Sequence, residues 1–142
     1  MDPISVHRHV ELDASLDDLW ELIADPAHLE AWLGDSDELD LTPGGTGMVL
    51  DDGVRRLVHV DLVEHRRAIG FTWWEQGDAA TPSRVVFEIG EVAGGGVRLD
   101  ITEKLAPSID SLRANRAADR TTRWEVRVCA LWACTVVAAL VP

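Results

Sequence analysis

Residues 15–35 read SLDDLWELIADPAHLEAWLGD. Leu16, Leu19, Trp20 and Ile23 recur at helical spacing, and Ser15 with Asp18 three residues on has the pattern of a helix N-cap. The helix should end near Asp25-Pro26, because the residue before a proline avoids the α region. Pro26 to Leu33 then reads as a second short helix. It puts His28, Leu29, Trp32 and Leu33 in one turn-spaced set, with Gly34 as its C′ residue. Upstream, Ile4 to Leu12 alternates, with Val6, Val10 and Leu12 on one face and His7, His9 and Glu11 on the other. That is the pattern of a half-buried strand.

Downstream, strand signals follow one another closely. Glu38 to Leu41 leads into Pro43-Gly44-Gly45, and Gly47 to Leu50 into Asp51-Asp52-Gly53, a hairpin signal. Val54 to Glu64 is long enough for a full strand. The His65-Arg66-Arg67 corner precedes Ile69, Phe71 and Trp73, with Trp74 pointing the other way. After a loop from Gly77 to Pro82, Val85, Phe87 and Ile89 alternate with polar neighbours, and Gly94-Gly95-Gly96 turns the chain into Val97, Leu99 and Ile101. Short turns of this kind make a sheet antiparallel. Residues 105–122 are poorly patterned. From about Asp119 a helix is expected to Leu140, with Arg120, Arg123 and Arg127 as a polar stripe opposite Trp124, Val128, Leu131 and Thr135. Beyond Val128 it is apolar all round, as buried helices are. Helices covering one face of an antiparallel sheet make an α+β domain, and 142 residues suit a single domain over 1–142.

The charge balance narrows the partners. Thirteen Lys+Arg against 25 Asp+Glu leave a net charge of −12. Nucleic acid and anionic membranes need a basic footprint, so neither is expected as a partner. Val128 to Pro142 is uncharged but short of the ~20 apolar residues of a membrane span. The opening MDPISVHRHVEL shows no charged region followed by an apolar one, so no signal peptide is read and a cytoplasmic location is expected. Cys129 and Cys134 form neither a C-x-x-C motif nor a disulfide framework, and read as small buried core residues.

The ordered set of LWELIADPAHLEAWLGD, the PGG turn, RRAIGFTWW, PSRVVFEI and GGGVRLDITE resembles the SRPBCC (START-like) superfamily. Within it, the chain is most similar to the branch of proteins like activators of a heat-shock chaperone ATPase. The likeness runs from residue 4 to 104, and it lies in the set rather than in one diagnostic motif. It implies a helix-grip fold. An antiparallel sheet of six or seven strands wraps a long C-terminal helix, two short helices follow the first strand, and a deep apolar cavity lies between sheet and helix. Members of the superfamily bind lipids, sterols or polyketides. Some are cyclases and some are chaperone adaptors, so the fold does not settle the function. The chain departs from the family in the 15 or more poorly patterned residues before its last helix, and in that helix's very apolar end. That end is a candidate surface for a homodimer.

No nucleophile constellation is present, and the Gly-rich turns join strands rather than opening a helix, as a phosphate loop must. His7, His9 and Glu11 share one strand face, but that face should be solvated, so no metal and no cofactor is expected. Glu103 shares parity with Val97, Leu99 and Ile101. A carboxylate aimed at a core is costly unless paired or wet. It reads as a residue of the cavity mouth, with ligand contact as the alternative. His59 sits mid-strand on a mixed face with Arg55, Leu57, Asp61 and Val63. Aromatic walls with a few polar groups make small-molecule pockets. The expected ligand-binding set is therefore Trp32, Trp73, Phe87, Glu103, Trp124, Trp132 and His59, with no catalytic residue. The leading expectation is a binding protein for a hydrophobic small molecule, lipid or polyketide-like, held between sheet and C-terminal helix. The alternatives are a chaperone-adaptor-like interaction domain, a polyketide cyclase or dehydratase using Glu103 and His59, and self-protection by trapping a reactive natural product. The adaptor reading is weakened because family adaptors usually carry an extra N-terminal domain, and none is read here.

Overall fold

The computed structural model describes residues 4–105 and 123–131, with backbone alone at residue 4 and residues 78–81. Its elements are β1 (Ile4–Leu12), α1 (Leu16–Ala24), α2 (Pro26–Leu29), β2 (Asp35–Asp37), β3 (Thr46–Asp51), β4 (Val54–Glu64), β5 (Ala68–Glu75), β6 (Asp78–Glu91) and β7 (Val97–Leu105). A helical segment at residues 123–131 follows and is called α3. The seven strands form one antiparallel sheet in the order β1-β7-β6-β5-β4-β3-β2. This is the α+β helix-grip arrangement, with α1 and α2 inserted between the first two strands.

Period-two alternation decides which side chains face the helices. Val97, Leu99, Ile101, Glu103 and Leu105 of β7 are buried, as are Ser83, Val85 and Phe87 of β6. On β5 the inward set is Ile69, Phe71 and Trp73, and on β4 it is Arg56, Val58 and Val60. α3 lies across this face. It buries Trp124, Arg127 and Leu131 and exposes Glu125, Val126 and Cys129. One side of it reaches β1, where Arg8 pairs with Glu125. The other reaches the end of β3, where Arg123 and Arg127 pair with Asp51.

The helix boundaries follow the cap chemistry. Ser15 accepts the Asp18 N–H at 3.1 Å, and Asp25 closes α1 and caps α2 by accepting the Ala27 N–H at 3.0 Å. The second helix is shorter than the Pro26–Leu33 expected. It ends at Leu29, and the chain reaches Leu33 in turns bonded back to His28 and Leu29. The expected strand from Glu38 to Leu41 is also displaced. β2 is Asp35–Asp37, paired with Met48–Leu50, and Glu38 at φ 52 breaks the extended run. Leu39 and Leu41 instead turn toward the core. The expected loop from Gly77 to Pro82 shrinks to a turn at Gln76-Gly77, since Asp78 already pairs with Glu75. Cys129, read as core, is exposed because it lies on the outer side of α3, and Cys134 is outside the described residues.

Gly34 joins α2's closing turn to β2. Its N–H bonds to the Leu29 carbonyl, and a Cβ there would run into the Leu50 carbonyl of β3. Gly34→Ala should therefore lower stability by more than about 1 kcal/mol, since the added carbon meets backbone that cannot yield. A urea titration of the two proteins checks this, and an unchanged midpoint would contradict the close approach.

Candidate functional site

Where α3 crosses the sheet, five aromatic rings pack together. Phe71 meets Trp73 at 5.4 Å and Phe87 at 5.6 Å between ring centres. Phe87 in turn meets Trp32 at 5.5 Å and Trp124 at 5.9 Å. Trp73 and Trp124 stack at 6.2 Å with planes 23° apart. Edge and offset contacts of this kind are the favoured aromatic geometries. Trp32 reaches the group from the turn after α2, anchored by its indole N–H donating to the Leu22 carbonyl at 2.8 Å.

Two buried polar groups hold this cluster. Glu103 is fully buried. Its Oε2 accepts from Trp73 Nε1 at 2.8 Å and from the Ser83 hydroxyl, and its Oε1 accepts from Trp124 Nε1 at 3.0 Å. Three donors from β5, β6 and α3 thus converge on one carboxylate, an acceptor-only group when ionised. The second group is Asp51 at the end of β3. It accepts from Arg56 Nε at 2.8 Å, from Arg123 Nη1 at 3.3 Å and from Arg127 Nη2. Arg56 and Arg127 lie against the same aromatic rings. The Arg56 guanidinium carbon is 5.0 Å from the Trp73 ring centre, and that of Arg127 is 4.4 Å from Trp124 and 5.5 Å from Trp73. Burial alone would raise the Asp51 pKa, but Arg127 and Arg56 outweigh it and hold the carboxyl below its usual 3.8.

Open space adjoins this network. A cleft of about 380 Å³ is lined, among the described residues, by Trp32, Leu33, Asp51, Asp52, Arg123, Val126 and Arg127. It lies between the turn after α2, the β3–β4 turn and α3. A void between α1, α2 and the sheet, bounded by residues such as Ile23, Leu29, Phe71 and Phe87, measures about 10 Å³, room for roughly one water.

Sequence reasoning expected seven ligand-binding residues. The structure brings Trp32, Trp73, Phe87, Trp124 and Glu103 together in the cluster just described. Trp32 also lines the cleft. Trp132 lies outside the described residues. His59 is exposed on the opposite face of the sheet, between Thr46 and Thr72 on the neighbouring strands. Glu103 and His59 therefore do not form one acid–base site. Nor does Glu103 sit at a wet cavity mouth, since its burial is complete and paired. Arg127 departs from the expected polar stripe, because it folds over Trp124 rather than standing opposite it. Asp51, Arg56 and Arg127 were missed. The usable signal was parity: Arg56 shares its face with Val58 and Val60. His7, His9 and Glu11 stand exposed on the outer face. Among the described residues, no group of three His, Cys, Asp or Glu side chains is arranged to hold a metal ion.

The model of the family described as Activator of Hsp90 ATPase homolog 1-like protein matches residues 13–130. The chain belongs to this family. The chain also shares its fold with several solved structures. DynU16, from the dynemicin biosynthetic locus, superposes with a TM-score of 0.75 at 25% identity, over 90% of this chain and 45% of DynU16. CalU16 from Micromonospora echinospora gives 0.73 at 20% identity, over 89% and 73%. MLL2253 from Mesorhizobium loti gives 0.77 at 19% identity, over 91% and 94%. The AHSA1-like chain thus spans less than half of DynU16. No curated protein matches it. The family and fold support a ligand-binding domain in general terms. No helix among the described residues is long and apolar enough to cross a membrane.

Proposed function

We propose that the AHSA1-like chain is a binding protein for a hydrophobic, polyketide-like small molecule, taken up at the cleft between α2, the β3–β4 turn and α3. The observation that carries this reading is the meeting of that cleft with the aromatic cluster. Trp32 and Val126 offer apolar wall, and Arg127 connects the cleft to Trp124 behind it. Concave sites with aromatic walls and a few placed polar groups are where small molecules bind. The likeness to DynU16, from a natural-product locus, favours a polyketide-like ligand over a lipid.

A thermal-shift screen of aromatic polyketides tests it, because a ligand selective for the native state raises the melting temperature. Val126 is 65% exposed on the cleft lip. Val126→Glu should weaken a hit about tenfold or more while leaving the unliganded protein's stability within about 0.5 kcal/mol, as for other surface changes. A hit whose affinity ignores this substitution binds elsewhere, and the cleft assignment then fails.

A second reading, self-protection by trapping a reactive natural product, is favoured by the same locus. Incubation with dynemicin followed by intact-mass measurement should then reveal an adduct or a cleaved chain. An unaltered mass would remove that reading.

A further inference from the structure

We infer that the cleft selects ligands bearing an acidic oxygen, a carboxylate or ionised enol or phenol, and that Arg127 is the residue that recognises it. This rests on the cleft being the ligand site proposed above. Arg127 is 5% exposed, yet its Nη1 has no hydrogen-bond partner. Its Nη2 is taken by Asp51, and its guanidinium face lies on Trp124. A buried guanidinium nitrogen without an acceptor is disfavoured, and native structures rarely tolerate one without a reason. Arg127 lines the cleft, so a ligand seated there can supply the missing acceptor once it uncovers Nη1, which is closed to solvent in the unliganded chain.

The side chains around Arg127 are themselves charged. Three arginines, Arg56, Arg123 and Arg127, converge on the single carboxylate of Asp51. Glu75 stands 4.0 Å from Arg56 but is half exposed, and Asp52 is exposed on the cleft's lining. Glu103 is engaged by the two indole N–H groups and Ser83. Among the cleft's described lining residues the cationic groups are Arg123 and Arg127. A planar guanidinium matches a carboxylate in geometry as well as charge. The ligand's apolar part would rest on Trp32 and Val126, and its acidic oxygen would accept from Nη1.

Two probes of one shape test this, 2-naphthoate and 2-naphthamide, which differ in charge and in a single oxygen-to-nitrogen exchange. Binding is measured by calorimetry on the full chain. The naphthoate should bind about tenfold or more tighter. In Arg127→Gln, which keeps a donor for Asp51, that preference should fall to near unity, the naphthoate losing far more affinity than the amide. Arg127→Lys, which keeps the charge without the fork, should fall between, and near-UV circular dichroism confirms that both variants are folded. Should either variant fail to fold, the preference in the unaltered protein is re-measured with rising salt, which should erode it. Equal binding of both probes overturns the acidic-ligand inference and leaves the binding-protein reading standing. Binding of neither probe, together with no thermal-shift hit, overturns both.

Discussion

Glu103→Ala is expected to destabilise the fold by about 2–4 kcal/mol, because it breaks a buried hydrogen-bond network and orphans several donors at once. The substitution deletes the acceptor for Trp73 Nε1, Trp124 Nε1 and Ser83 Oγ at once. Each orphaned buried donor costs roughly 1–3 kcal/mol, and the three are not additive because they can relax together. Glu103→Gln keeps one acceptor but turns an amide N–H toward one of the former donors, so it should fall between the two proteins. Ser83→Ala removes a single partner and should cost about 1 kcal/mol. Urea unfolding followed by tryptophan fluorescence reads all three. If Glu103→Ala loses less than Ser83→Ala, the carboxylate does not organise this end of the core.

The result bears on the proposed cleft because Glu103 sets the positions of Trp73 and Trp124. Those rings in turn carry Arg127 and, through Phe87, touch Trp32. The carboxylate is thus a positioning residue for the wall behind the cleft. Its three partners arrive from two adjacent strands and from α3, and this is why the site could be read in the sequence in part. The parity of Glu103 with Val97, Leu99 and Ile101 is visible in seven residues, and so is the inward aim of Trp73 and Phe87. What those groups meet on the far side depends on how α3 lies over the sheet, and no local pattern encodes that. A buried Glu103 was therefore easier to expect than its engagement by two indoles.

The misread elements share a cause. Asp35-Ser36-Asp37 has no apolar alternation, yet it forms β2 because the edge of β3 offers it backbone partners. Leu39 and Leu41 look like a strand and are spent on the core instead, after Glu38 turns left-handed. Arg127 looked like a solvated face because arginine usually is one. Its burial follows from Asp51, 76 residues away in sequence and placed opposite it by the β3–β4 hairpin. By contrast the N-cap at Ser15, the Asp25-Pro26 stop and the Asp52-Gly53 turn are encoded within four residues, and all three stand as read.

Asp51→Ala should cost about 3–5 kcal/mol near neutral pH, since it strands buried Arg56 and Arg127 without their shared carboxylate. It also cuts the tie between α3 and the end of β3. Asp51→Asn keeps an acceptor oxygen and should cost less. The effect has a definite pH signature. In the folded protein Arg127 and Arg56 hold the Asp51 carboxyl below its unfolded value of 3.8, against the opposing push of burial. A carboxyl with a depressed folded pKa binds its proton more readily in the unfolded chain, so protonation favours unfolding. Its contribution is fully present above pH 3.8 and is lost as the pH falls below that toward the folded value. The stability gap between the unaltered protein and Asp51→Asn should therefore be constant from pH 7 to about 5 and narrow steadily below about 4, over the window in which carboxylates of this kind titrate. Other carboxylates titrate in the same window, but they are common to both proteins and cancel in the difference. Urea midpoints at pH 6 and pH 3 supply the measurement. A gap of equal size at both values would mean that the arginines do not depress this carboxyl, and that the clamp holding α3 to β3 draws its strength from packing on Trp73 and Trp124 instead.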